Sequence, residues 1–116
     1  MDPNQLQRRA HEASELLKAL GNARRLMILC QLLEGEKSVG ELVRPVGLSQ
    51  SALSQHLARL RRDRLVSTRR AAQTIYYTIE GAEVRALLQT LHALYCGREP
   101  AETPTLAAAE AHLLTF

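Results

Sequence analysis

Apolar positions recur at helical spacing from the start of the chain, as Leu6, Ala10, Ala13, Leu17 and Leu20 behind Pro3, which suits a first turn; Gly21 ends this helix. Asn22 is placed to cap a second helix, with a stripe of Leu26, Leu29, Cys30 and Leu33 that Gly35 stops. Ser38-Val39-Gly40-Glu41 has capping-box spacing and opens a short third helix through Leu42 and Val43, which Pro45 and Gly47 close in a tight turn. Ser49 caps a fourth, with Leu53, Leu57 and Leu60 on its inner side.

From Leu65 the period changes from helical to extended. Residues 65–68 and 74–78 are β-branched and aromatic-rich and predict two strands, joined by the polar loop Arg69-Arg70-Ala71-Ala72-Gln73. Gly81 precedes a last helix with Val84, Leu87, Leu88, Leu91, Leu94 and Tyr95 on one stripe, closed by Gly97. Pro100 and Pro104 punctuate the remaining residues, of which 106–114 have the pattern of one weak helix. Helices, a helix-turn-helix, a two-stranded wing and a final helix predict a mainly α winged helix-turn-helix with a small β-wing. On this reading residues 1–97 form the DNA-binding and dimerisation domain, and residues 98–116 a C-terminal tail.

Length and composition agree with that order. A chain of 116 residues is one domain, and 46% hydrophobic residues exclude a disordered one. The net charge of +3 is mild, but its distribution is not. Arg59, Arg61, Arg62, Arg64, Arg69 and Arg70 stand against a single acid, Asp63, within twelve positions. All but Lys18 and Lys37 of the 15 basic residues are arginine, whose fork suits phosphates and guanine edges. Aromatics make up 3% of the chain, too few for the stacking platforms of a single-strand binder. No run approaches the ~20 apolar residues of a membrane span, and the N-terminus lacks the apolar core of a signal peptide, so a cytoplasmic protein with no membrane partner is expected. In that compartment the only two cysteines, Cys30 and Cys96, are expected as thiols or redox-active groups rather than a permanent disulfide.

About two-thirds of the chain, from Leu20 to Cys96, resembles the ArsR/SmtB family of bacterial winged-helix repressors. The residues that carry the resemblance are Ala19-Leu20-Gly21-Asn22-Ala23-Arg24-Arg25-Leu26, Ser38-Val39-Gly40-Glu41-Leu42, and above all Leu48-Ser49-Gln50-Ser51-Ala52-Leu53-Ser54-Gln55-His56-Leu57 followed by Leu60 and Leu65-Val66. The resemblance implies a homodimer whose interface is made by the first and last helices, and release from operator DNA on binding an inducer. Within the family, Arg25-Leu26-Met27-Ile28-Leu29-Cys30 and Leu94-Tyr95-Cys96 are similar to the two cysteine-bearing segments of the BigR/SqrR/YgaV branch, which senses persulfides and polysulfides. Two departures separate the chain from metal-sensing members. Residues 38–42 hold no thiol, and the last helix offers only Glu83 and His92, too few ligands for a tetrahedral site.

The fourth helix then reads DNA. With its leucines inward, Gln50, Ser51, Ser54 and Gln55 share the outward face near the N-terminus, where a recognition helix meets base edges. Glutamine pairs bidentately with adenine, and serine donates or accepts. Arg59 and Arg62 are expected on phosphates, His56 in packing or on a phosphate, and Arg69, Arg70 and Gln73 of the wing on the backbone or the adjacent minor groove. A winged helix turned protein-binding module would lack the combination of polar reader face and basic wing.

A cysteine alone on an apolar stripe is ordinarily a small buried hydrophobe. At the spacing of the sulfur-sensing branch, Cys30 and Cys96 are instead expected to be joined by reactive sulfur species through a disulfide or a bridge with extra sulfur. Closing 66 positions into a loop restricts the unfolded chain by about 4 kcal/mol. Cys96 at a helix C-terminus faces the negative end of the dipole, which disfavours its thiolate; Arg98, Arg24 or Arg25 would offset this. No resident cofactor or metal is required on this reading. A repressor answering a metal ion, a general oxidant or haem stays open as an alternative. A thiol redox enzyme does not fit, for there is no Cys-x-x-Cys, no strand–helix redox scaffold and no His/acid constellation beside either cysteine.

Overall fold

A computed structural model describes residues 1–95. Helix α1 (Pro3–Leu20) begins at Asp2, whose side chain accepts from the Gln5 amide at 2.9 Å. Helix α2 (Ala23–Leu32) begins at Asn22, whose side chain accepts from the Arg25 amide at 3.1 Å. A two-residue strand β1 (Lys37–Ser38) leads into α3 (Val39–Val46). The expected capping box is present: the Glu41 amide donates to Ser38 Oγ at 3.3 Å, and the Ser38 amide donates to the Glu41 carboxylate at 3.1 Å. Hydrogen bonds from Ser38 hold the Glu41 carboxyl below its ordinary value. Gly47 ends α3 at φ 72°, a left-handed conformation that suits glycine, and its amide donates to the Val43 carbonyl.

Helix α4 (Gln50–Arg62) starts at Ser49, which accepts from the Ala52 amide at 3.1 Å. Strands β2 (Val66–Ala71) and β3 (Thr74–Ile79) pair antiparallel from Val66↔Ile79 to Ala71↔Thr74, and α5 (Ala82–Tyr95) follows. The sheet order is β1-β3-β2, with Ser38 opposite Tyr76 on one side and Arg69 opposite Tyr76 on the other. The described residues form a winged helix-turn-helix: five helices with a small three-stranded wing sheet.

One core joins the elements. Ile28, Leu29 and Leu32 of α2, Leu42 and Val46 of α3, Leu53, Leu57 and Leu60 of α4, Val66 and Ile79 of the wing, and Val84 and Leu88 of α5 are all buried in it. The second helix differs from expectation in phase. Ile28 and Leu32 are its fully buried residues beside Leu29, while Leu26, Cys30 and Leu33 lie half-buried on its flank, because the core approaches α2 from both α3 and α4.

The other differences have equally local causes. Strand β1 goes beyond the sequence expectation, since two residues are too short to carry a period of their own. Arg69 and Arg70 lie within β2 rather than in the loop; the turn is Ala72-Gln73 alone, with Ala72 at φ 57°, the positive φ that a two-residue hairpin uses at its first central position. Of the apolar stripe on α1 only Leu20 is buried, alongside Ala19; Leu6 and Leu17 are about 60% exposed. On α5 Leu94 and Tyr95 are exposed as well. The closing Gly97, the tail 98–116 and its helix at 106–114 lie outside the described residues.

Leu57 has no exposed surface. Leu57→Ala is expected to lower unfolding stability by roughly 2–5 kcal/mol, checked by urea denaturation.

Candidate nucleic-acid interface and thiol groove

Burial of Leu53, Leu57 and Leu60 decides which way α4 faces. At 3.6 residues per turn the opposite arc holds Ser51, Ser54, Gln55 and Arg62, with Gln50 in the first turn. Gln50, Ser51, Ser54, Gln55, Arg59 and Arg62 are all exposed, and His56 is half-buried. Arg59 Nε donates to Asp63 at 3.0 Å, so this arginine is tied to its own helix end, whereas no ion pair involves Arg62 among the described residues. The helix-turn-helix is held at its turn by Arg24, whose guanidinium donates to the Val46 carbonyl at 3.1 Å across 22 positions. That carbonyl belongs to the last turn of α3, where intrahelical partners run out.

The wing divides its two arginines. Neighbouring residues of a strand point to opposite faces, so Arg69 shares its face with Tyr76, and Arg70 shares the other with Ile75. Arg69 is engaged: its Nε donates to Glu36 at 3.1 Å, an Nη donates to the other carboxylate oxygen, and its guanidinium lies over the Tyr76 ring, 4.8 Å from the centroid. The hydrogen bonds from Arg69 hold the Glu36 carboxyl below its ordinary value, and Glu36 in turn raises Arg69. Arg70 and Gln73 are exposed at and beside the turn. Sequence reasoning misses Glu36, for nothing in a local pattern links it to a partner 33 positions on.

Cys30 lies in the last turn of α2 and is half-buried. It lines a groove of about 390 Å³ between α2 and α5, together with Leu26, Met27, Leu91, His92 and Tyr95. A second hollow of about 250 Å³ also borders both Cys30 and His92, with Leu33 and Gln89. Cys96 lies outside the described residues, but Tyr95, which directly precedes it, is in the wall of the first groove. Among the described residues no three His, Cys, Asp or Glu side chains are grouped to hold a metal ion, and no helix is long and apolar enough to cross a membrane.

A polar-faced helix packed as the second member of a helix-turn-helix, flanked by a basic β-wing, defines a DNA-binding protein of the winged-helix class. Residues 22–68 match the family model described as bacterial regulatory protein, arsR family. The chain is 55% identical over 96 residues to the transcriptional activator HlyU of Vibrio cholerae serotype O1, covering 83% of this chain and 89% of that one. The structure of reduced HlyU from Vibrio cholerae superposes with a TM-score of 0.76 at 56% identity, covering 79% of this chain and 97% of that one. The regulator YgaV of Escherichia coli is 49% identical over 94 residues, 79% of this chain and 94% of its own. The structure of the transcriptional repressor BigR from Xylella fastidiosa gives a TM-score of 0.74 at 40% identity, over 84% of this chain and all of that one. The chain therefore belongs to the ArsR family and is a transcriptional regulator, not an enzyme.

Proposed function

We propose that the protein is a homodimeric repressor that leaves its operator when reactive sulfur joins Cys30 to Cys96, relieving repression of sulfide-detoxification genes. The observation that carries this reading is the α2–α5 groove, whose lining includes both Cys30 and the immediate neighbour of Cys96. The thiolate of one cysteine attacks the terminal sulfur of a polysulfide; that S–S bond breaks and the shortened polysulfide leaves with the electron pair. The second thiolate then attacks the inner sulfur of the new persulfide, expelling hydrosulfide and leaving a disulfide. Attack further out on a longer attached chain leaves a bridge with extra sulfur. Each step needs thiolate, so both rates follow thiol pKa and access.

Dimer formation is supported by where apolar surface remains. Leu6 and Leu17 on α1 and Leu94 and Tyr95 on α5 are exposed in the single chain. Exposed apolar side chains on two helices suit pairing with the same helices of a second copy. A two-fold axis then sets two α4 helices about 34 Å apart, one DNA turn, on an imperfect palindrome. Gln50, Ser51, Ser54 and Gln55 read base edges, Arg59, Arg62 and His56 lie along the backbone, and Arg69, Arg70 and Gln73 belong to the wing contact. A bridge between α2 and α5 pulls at the dimer helix and alters the reader spacing.

Two measurements check this. In the first, Gln50→Ala combined with Ser54→Ala removes a bidentate partner and a second contact, and is expected to cost at least about tenfold in specific affinity by fluorescence anisotropy. Normal operator binding by that double variant contradicts the reader assignment. In the second, the protein is titrated at fixed salt onto DNA from its own upstream region, reduced, after polysulfide and after peroxide, with mass spectrometry on each sample. Binding is expected to fall only after polysulfide, with Cys30 joined to Cys96, and Cys30→Ser is expected to bind throughout. Binding that ignores all three treatments overturns the sulfur-sensing reading and returns the cysteines to packing.

A further inference from the structure

One ion pair differs in kind from the rest. The other four among the described residues join side chains three or four positions apart, whereas Glu36 and Arg69 are 33 positions apart. The contact is a two-point fork, with Arg69 Nε and an Nη each on one oxygen of Glu36 and the Tyr76 ring against the guanidinium. A single-point ammonium cannot reproduce it. Glu36 directly precedes β1, Tyr76 lies on β3 and Arg69 on β2, so the clamp crosses the whole sheet, roughly 10 Å at about 4.8 Å per strand. It ties the hairpin to the connection between α2 and α3, hence to the body that carries α4.

Folding gains little from such a pair. Its side chains are 55% and 39% exposed, and exposed pairs contribute weakly to stability. The hairpin is anchored in the core at its base by Val66 and Ile79, with Tyr77 packed against that core and Tyr76 and Tyr77 paired to β1, while Arg69, Arg70 and residues 72–75 are exposed. From Tyr76 to the turn the hairpin is a two-stranded ribbon off the core, with little to set its direction.

We propose that Glu36 is a positioning residue for DNA binding: by gripping Arg69 across the sheet it fixes the wing's angle to α4, so that an acid beside a basic surface strengthens DNA binding. The proposal rests on the wing touching DNA. A carboxylate acting only through its charge has the opposite effect, since it repels phosphates and its removal tightens binding.

The sign of the effect is therefore the test. Full-length protein, its fold checked by circular dichroism melting, is titrated by anisotropy onto a duplex from its upstream region and an unrelated duplex of equal length. Glu36→Ala is expected to weaken binding several-fold although it removes a negative charge, with Glu36→Gln intermediate because its amide oxygen still accepts from Arg69. Tyr76→Leu, which keeps both charges, is expected to weaken binding in the same direction. In an Arg69→Ala background Glu36→Ala is expected to cost nothing further. Equal or tighter binding by Glu36→Ala overturns the proposal, as does a loss that persists undiminished without Arg69. Arg70→Ala, on the other face of the hairpin, separates the two ways of failing. If it weakens binding while Glu36→Ala does not, only the positioning role is wrong; if neither matters, the wing contact is wrong as well.

Discussion

The α4 face proposed to meet DNA depends on three leucines that never meet water. Leu53, Leu57 and Leu60 have no exposed surface, and burying a leucine side chain contributes roughly 1.5–3 kcal/mol. Turning α4 by one residue would draw those side chains toward solvent and push glutamines and serines into an apolar core, where unpaired polar groups cost heavily. The proposed reader face is thus chosen by the hydrophobic effect before any DNA arrives. Its neighbour α3 is locked in the same way by Leu42 and Val46, and Arg24 closes the turn between them by satisfying a carbonyl that the helix end leaves over.

The same core reaches the thiol groove. Ile28, Leu29 and Leu32 of α2 pack into it from the helix that bears Cys30, and Val84 and Leu88 bring in the first half of α5. The second half of α5 runs out along the groove with Leu94 and Tyr95 exposed. Packing is dense and transmits displacement, while an exposed helix end resists displacement weakly. In the proposed switch, a sulfur bridge acts on that weakly held half of α5 and on a helix rigidly packed against the reader. The wing sits at the other end of the chain of contacts, anchored by Val66 and Ile79 and steadied by Glu36 through Arg69.

How much of this the amino-acid order discloses depends on how local each cause is. The leucines of α4 repeat at helical spacing behind a serine cap, so their helix and its inner face are legible directly, as is the capping box of α3. The arginines of β2 are misplaced because Arg-Arg-Ala-Ala-Gln carries no β-branched residue, and its strand character comes from pairing with Thr74, Ile75 and Tyr76. Strand β1 exists only because Tyr76 and Tyr77 offer it an edge. The apolar stripes of α1 and α5 can be seen in the sequence, but a stripe does not say what covers it, and within one chain Leu6, Leu17, Leu94 and Tyr95 stay exposed. Cys30 is legible as a candidate and its groove is not, since the walls come from helices some 60 positions apart. The Glu36–Arg69 clamp is invisible for the same reason.

The most direct measurement is a backbone amide NMR titration of the reduced protein with a duplex from its upstream region. The expected result is that the signals of Gln50, Ser51, Ser54, Gln55, Ala72 and Gln73 shift together, while those of Leu29, Leu42 and Leu88 in the core stay in place. Shifts confined to α1 and α5, with residues 50–55 unmoved, would contradict the reader face that the buried leucines dictate.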